Sequence, residues 1–449
     1  MAKRKTKKTP KKSWNVELPK IKVLAYCDSP TCATGFGTVS RNIFEGLTAT
    51  NRYQVDVLGI NYWGDPHQFP YRIWPTGTNA QKDPYGRKKV CGMIPQMEYD
   101  ILFFLQDTFI MDFLPELIPY LQKQGKKFKS IAYFPIDGVP KEQWIKNVSA
   151  VDYPVTYSEF GKLAAKQAYA DCPELDVIPH GVNTVDYHPL NTQEVKEFRG
   201  RYFGQHADKF IFMNLNRNQQ RKDIPRTIQA FVEFRKQVPE SLLYLHMAQK
   251  DQGWDLPEVC KAYNLDITSD VIFPQNFGPN QGYPRQIVNM LYNCVDATIS
   301  TTLGEGWGLS WSEAMATKTP IIMPRNTALT EAISEDRGYL VNSGTNPSLL
   351  TVLPHDNEVI RPLVDVEDMV VKMLDVYNDY DKAQARAEAA YEWVTKDLAW
   401  GAKGPVVDRW IKVFDKMYKA HIEEHAIQEE PQLNIPGVTA PKEIETEQF

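Results

Sequence analysis

Two α/β domains, each a parallel sheet doubly wound with helices, are what this sequence predicts. Three observations carry the prediction. The chain has 449 residues, enough for two domains of ordinary size. Short apolar runs of strand type alternate with helical patterns along most of its length, which argues for parallel sheets. Twice, a strand-like run passes through a glycine-rich turn into a helix. That arrangement aims free backbone N–H groups at an anion.

Composition narrows the class. Hydrophobic residues make up 43% and charged residues 24%, a globular profile. No run approaches the roughly 18 apolar residues of a membrane span. The basic N-terminus lacks the apolar core of a secretory signal. Six cysteines, at 27, 32, 91, 172, 260 and 294, form no Cys-x-x-Cys pair and no zinc spacing. They read as reduced thiols of a cytoplasmic protein. The formal charge of −5 hides two opposed tails. Residues 1–14 hold seven Lys/Arg and no acid, and residues 423–449 hold seven Glu against one Lys. Segments 1–18 and 423–449 are therefore expected to be disordered. The body between them is mildly acidic, so nucleic acid is not the favoured partner.

The first series begins with a strand at Ile21 to Cys27. It runs into Asp28-Ser29-Pro30-Thr31-Cys32-Ala33-Thr34-Gly35-Phe36-Gly37 and a helical pattern of Val39, Ile43, Phe44 and Leu47. Gly35 and Gly37 let the backbone approach a partner closely. Further strands are expected at Val55 to Ile60, Ile101 to Leu105, Ser130 to Phe134 and Tyr153 to Tyr157. Helices are expected at Leu114 to Gln122 and Glu159 to Tyr169. Residues 61–90 are rich in turn and aromatic residues and read as a long loop facing an acceptor. Ligands of such sheets sit at the carboxyl ends of the strands, where Gly35, Asp107 and Asp137 fall. Asp137, before Gly138, reads equally well as a turn cap.

The second series follows a turn at Pro179-His180-Gly181, in which His180 is structural, and a linking helix at Thr192 to Phe203. Its first strand is Phe210 to Leu215, with a basic loop, 216–223, leading into a helix through Phe234. Strands at Leu242 to Met247 and Val271 to Phe273 and a helix at Tyr283 to Tyr292 come next. An apolar run from Val295 to Ser300 then enters Gly304-Glu305-Gly306-Trp307-Gly308-Leu309, with a helix from Leu309 that carries Glu313. Each carboxylate can accept hydrogen bonds from a pair of hydroxyls, with a diphosphate lying across the helix start. A glycine-rich loop with two surface glutamates is the equal alternative. Helices at Val366–Tyr377, Lys382–Val394 and about Val406–His421 finish the pattern.

Glu305 and Glu313, within Glu-Gly-Trp-Gly-Leu and Ser-Glu-Ala-Met-Ala, followed by Pro320 to Pro324 and Ala328-Leu329-Thr330-Glu331, resemble the signature of the retaining GT-B glycosyltransferases of family four. The resemblance covers most of 21–420 and is strongest over 209–331. It implies the GT-B fold: α/β, two Rossmann-like domains facing a central cleft. The N-terminal acceptor domain would span 19–190 and the donor-binding domain 191–400, with a helix at 401–422 crossing back. The implied donor is a UDP-, GDP- or ADP-sugar, with no cofactor and no metal. By resemblance Arg217 and Lys222 grip the donor diphosphate, joined by Gly35 and Gly37 from the first domain. Glu305, Gly306, Trp307, Gly308, Leu309 and Glu313 hold the rest of the donor, with Pro274 to Phe277 framing the nucleobase. Asp137, Glu305, Arg217 and Lys222 are the catalytic candidates. Many members have a histidine where this chain has Ile136, so that role does not carry over. The acceptor is not readable: a glycan, lipid, protein or small molecule all fit. A transferase acting on a modified DNA base and a non-catalytic sugar-nucleotide-binding protein are the alternatives.

Overall fold

The first half builds a seven-stranded parallel sheet. Its elements are β1 (Ile21–Asp28), α1 (Gly35–Ala49), β2 (Tyr53–Ile60), β3 (Arg72–Pro75), α2 (Arg87–Met93), β4 (Ile101–Leu105), α3 (Leu114–Lys123), β5 (Lys129–Phe134), α4 (Glu142–Val148), β6 (Tyr153–Thr156), α5 (Glu159–Ala168) and β7 (Asp176–Val177), in strand order β3-β2-β1-β4-β5-β6-β7. The computed structural model describes residues 19–78, 82–278, 282–354, 356–401 and 403–426. The basic tail at 1–18 and the acidic tail beyond 426 lie outside the described residues.

The second half builds a six-stranded parallel sheet. It contains α6 (Thr192–Phe203), β8 (Phe210–Leu215), α7 (Ile224–Gln237), β9 (Ser241–His246), α8 (Leu256–Ala262), β10 (Val271–Ile272), α9 (Arg285–Cys294), β11 (Ala297–Ile299), α10 (Leu309–Ala316), β12 (Ile321–Pro324), α11 (Leu329–Ala332) and β13 (Tyr339–Val341), in order β10-β9-β8-β11-β12-β13. A separate antiparallel hairpin, β14 (Leu350–Val352) and β15 (Ile360–Pro362), follows. The helices α12 (Val366–Asn378), α13 (Tyr380–Asp397) and α14 (Pro405–Ala426) complete the described residues. In both sheets the order reverses beside the first strand, which opens a crevice at the strand carboxyl ends.

Both faces of each sheet are buried, so the strands read as continuous apolar runs rather than alternating ones. Along β1, Val23, Ala25 and Cys27 enter one core while Leu24 and Tyr26 enter another. The first of these cores runs without a break from the N-terminal sheet to α10 of the second half. Side-chain caps begin the helices that matter for the site. Thr34 Oγ1 accepts the Gly37 N–H at 3.0 Å to start α1, and Ser158 Oγ accepts the Gly161 N–H at 3.0 Å to start α5.

Helix α14 lies on the first half. Trp410, fully buried, meets Phe103 of β4 at 5.4 Å and Tyr133 of β5 at 4.6 Å between ring centroids. The chain crosses between halves at two adjacent places, where the Val182 N–H donates to Leu398 O at 2.7 Å and the Trp400 N–H donates to Val182 O at 2.9 Å.

Two expectations need correction. Residues 61–90 are not one loop, because β3 pairs with β2 and α2 follows. Within β3 Ile73 alone is buried, too short an alternation to register in the sequence. Residues 423–426 continue α14, so the acidic segment is helical at its start rather than disordered from 423.

Truncating the large indole at the junction leaves a cavity. Trp410→Ala is expected to destabilise the protein by about 3–5 kcal/mol, measured as a lower denaturant midpoint with the helix content of the native state retained.

Candidate functional site

The site is built where two corners of the second sheet meet one loop of the first. After β8 the chain makes a tight turn at Gln220–Lys222, and Asp223 adopts a left-handed φ of 44° before α7 begins. A buried chain of hydrogen bonds ties this turn to the segment after β11. Asn214 Nδ2 donates to Thr227 Oγ1 at 2.9 Å, Thr227 and Thr301 hydroxyls pair at 2.7 Å, and Thr301 Oγ1 donates to Asp223 O at 2.8 Å. The Leu303 N–H then donates to Arg221 O at 2.8 Å. These bonds hold the two loops as one piece.

Lys222 and Glu305 face each other across that seam as an ion pair. Both side chains are 11% exposed. Arg221 lies beside them, with Nη1 3.4 Å from Glu305 Oε2 and Nε 3.2 Å from Asp137 Oδ2. Its Nη1 also donates to Gly304 O. Asp137 stands three residues past β5, so a guanidinium of the second half bridges a carboxylate from each half. Burial works to raise Glu305, but the Lys222 and Arg221 charges outweigh it and hold its carboxyl at about 2. Burial likewise opposes the charge on Asp137, and Arg221 with Arg361 overcomes it and keeps that carboxyl below its usual range. Burial lowers Lys222, with Glu305 as the opposing influence.

The glycines let the halves touch. A side chain at Gly304 would collide with Asp137 O, and one at Gly306 would lie 2.7 Å from Pro135 Cβ. Gly308 has a φ of 90°, which favours glycine, and turns the chain into α10. The first N–H groups of α10, from Leu309 onward, have no partner within the helix and point back toward this turn. On the opposite lip, Glu331 of the second half reaches α5 of the first. Its Oε2 accepts the Glu159 N–H at 2.9 Å and its Oε1 accepts the Phe160 N–H.

Not every candidate joins this cluster. Arg217 is 44% exposed and forms a bidentate pair with Asp251 at 2.7 and 3.3 Å, out at the rim. Glu313 is not beside Glu305. It accepts hydrogen bonds from Tyr292, at 3.0 Å, and Tyr187, in a narrow crevice between the halves lined by Thr38, Asn183, Arg285 and Leu309. Burial raises its carboxyl to about 7. The Trp307 indole packs on Trp311 at 5.1 Å and belongs to the core. Gly35 faces Leu309 across the crevice, whereas the Gly37 N–H is taken by Thr34. Near the Pro274–Phe277 segment, Tyr283 donates to Gln275 O at 2.8 Å, and Phe277 meets the His246 ring at 5.0 Å. Ile136 is buried in the first-half core, so nothing ionisable stands at its position. His180 shares a hydrogen bond of 2.8 Å with the Tyr133 hydroxyl, and burial drops its pKa to about 3.

Two residues of the cluster escaped the sequence reading. Arg221 adjoins Lys222, but the five-residue spacing of the family resemblance points to Arg217 instead. Arg361 lies 224 residues from Asp137, and no local pattern links the two.

Residues 201–351 match the family model described as Glycosyl transferases group 1. The alpha-monoglucosyldiacylglycerol synthase of Acholeplasma laidlawii is 23% identical over 200 residues, covering 41% of this chain and 48% of that protein. The chain thus spans about half the length of that relative. Among solved structures, sucrose-phosphate synthase from Thermosynechococcus elongatus superposes with a TM-score of 0.68 at 17% identity, over 90% of this chain and 100% of that one. Anabaena HepE, in complex with UDP and glucose, superposes with a TM-score of 0.65 at 14% identity, over 88% of this chain and all of that one. The fold is GT-B, as the sequence predicts.

The Glu313 carboxyl gives a pH test. The native state keeps this proton up to about pH 7. The unfolded chain releases it near the usual glutamate value of about 4.3. Between those values the native state binds more protons, so Glu313 makes stability fall as pH rises, and the loss is complete above about 7. Glu313→Gln is therefore expected to gain stability relative to the wild type across that window and to hold the gain at higher pH. Denaturant titrations of both proteins from pH 4.5 to 8.5 measure it.

Proposed function

We propose that the chain, whose residues 201–351 match the model of the glycosyl transferases group 1 and whose fold is GT-B, is a retaining, metal-independent glycosyltransferase using a nucleoside diphosphate sugar. The observation that carries the reading is the convergence of Lys222, Arg221 and Glu305 under the Asp137 loop of the other half. Cations and hydroxyl acceptors meet there at the carboxyl ends of two parallel sheets.

In this reading the diphosphate lies against Lys222, Arg221 and the first N–H groups of α10. As the bond from the anomeric carbon to the diphosphate breaks, charge builds on the leaving oxygen. Fixed cations stabilise that charge most in the transition state. Glu305 stays ionised and accepts hydroxyls of the sugar, and Glu313 with Leu309 faces the ribose. The acceptor hydroxyl attacks from the face that the diphosphate leaves and passes its proton to a phosphate oxygen, so the configuration is retained. Asp137 has both carboxylate oxygens held by guanidinium groups and a lowered pKa. Such a carboxylate is a poor proton acceptor, and its work here is to orient a sugar hydroxyl. HepE holds UDP and glucose, which makes UDP-glucose the first donor to try. The name of the relative from A. laidlawii, a synthase of monoglucosyldiacylglycerol, makes diacylglycerol the first acceptor to try.

The experiment is a screen of UDP-, GDP- and ADP-sugars for thermal stabilisation, hydrolysis and transfer, with and without EDTA. One donor is expected to stand out, since stabilisation grows with ligand concentration over its dissociation constant. EDTA is expected to leave turnover unchanged. Lys222→Ala and Arg221→Ala are each expected to lower kcat by roughly 10²–10³-fold, the usual loss for one fixed donor to a developing anion. Arg217→Ala is expected to lose much less. No stabilisation by any sugar nucleotide, in a protein of normal helix content, rejects the reading.

A further inference from the structure

The hairpin β14–β15 forms a two-stranded sheet of its own, paired with neither parallel sheet. Its register pairs Thr351 with Arg361 and Val352 with Ile360. Strand alternation turns Ile360 outward, 65% exposed, and Arg361 inward, with its side chain 4% exposed. The Arg361 guanidinium is used on two sides. Nε and Nη2 form a bidentate pair with Asp356, at 2.6 and 3.1 Å, within the hairpin itself. Nη1 crosses to the first half and donates to Asp137 O at 2.5 Å and to Asp137 Oδ1 at 3.0 Å. A planar guanidinium clamped along one edge has no freedom to swing, so its other edge fixes what it meets.

Two more contacts seat the hairpin on the same loop. Gly138 lies so close that a Cβ there would stand 2.6 Å from Val359 Cγ1 and 3.0 Å from Arg361 Nη1. Lys141 Nζ pairs with Glu358 Oε2 at 2.5 Å. The three contacts fall on five consecutive residues, 137–141. The oxygens of Asp137 are thereby divided, Oδ1 to Arg361 and Oδ2 to Arg221.

We propose that Arg361, locked by Asp356, is a positioning residue that sets the Asp137 carboxylate over the Gly304–Glu305 turn, and that the β14–β15 hairpin is thereby part of the donor-sugar site. Arg361 acts through Asp137 and does not itself touch the sugar. The proposal rests on the glycosyltransferase reading for its kinetic arm, while its structural arm stands without that reading.

The test uses the full chain and four variants: Arg361→Gln, Arg361→Lys, Asp137→Asn and the double Arg361→Gln/Asp137→Asn. With UDP-glucose as donor, Arg361→Gln is expected to lower kcat by roughly 10–100-fold while KM moves by less than about three-fold, the signature of an interaction expressed in the transition state. Arg361→Lys keeps the charge but lacks the fork, and is expected to recover only part of the loss. The double variant is expected to be no slower than Asp137→Asn alone, because residues acting as one unit are not additive. Additive losses, or an unchanged kcat in Arg361→Gln, overturn the proposal. Amide hydrogen exchange supplies the arm that needs no activity. Arg361→Gln is expected to speed exchange in 135–141, with β8 and β11 protected as in the wild type. Unchanged exchange in 135–141 overturns the proposal even if every donor is inert. Faster exchange in a protein that binds no sugar nucleotide would sink the glycosyltransferase reading and leave the positioning intact. If Arg361→Gln does not fold, Asp356→Asn removes the lock while keeping the cation, and the same outcomes apply.

Discussion

Arg221 is the pivot on which the cleft depends. It stands between Glu305 of its own half and Asp137 of the other. Around it, Lys222, Arg361 and Asp356 complete a cluster of three cations and three carboxylates. Desolvating ions is costly, and mutual attraction repays the cost only where geometry and hydrogen bonding are good. Such a cluster adds little net stability over an apolar seam. Its effect is on geometry: each charge has few acceptable positions, so the two halves meet in a defined register. A diphosphate sugar brings two negative charges and several hydroxyls, the same chemistry that these side chains already exchange among themselves.

Rigid support for that cluster comes from elements that take no part in it. The Asn214–Thr227–Thr301 chain welds the corner after β8 to the corner after β11. On the other side, β5 carries the Asp137 loop from a strand buried on both faces. Trp410 of α14 packs on β4 and β5, so α14 braces the strand that presents Asp137 together with its neighbour. Movement of one half against the other must therefore work against α14 and the Val182–Ala399 crossing.

Strand and helix positions were legible because their periodicity is local. The runs Ile101–Leu105, Thr192–Phe203 and Phe210–Leu215 have the same limits in the sequence reading and in the structure. Lys222 and Glu305 were singled out by the family resemblance, and the doubly wound sheet brings the strand ends that carry them together. Arg217 sits away from Glu305 for a physical reason. Its spacing to Lys222 says nothing about rotamer choice, and Asp251, a residue of the following βα corner, draws its guanidinium to the rim.

By itself the sequence determined the two parallel sheets, the glycine turn that admits a close partner, and the residue types available at the strand ends. These follow from hydrophobic period, helix propensity and the freedom of glycine, which act over a few residues. Only the tertiary structure decided that Arg221 rather than Arg217 sits against Glu305, that Glu313 turns to Tyr187 and Tyr292, and that Arg361 clasps Asp137. Side-chain pairing of that kind is set by burial and by charges brought together from distant segments. No local pattern encodes a contact between residues 224 positions apart.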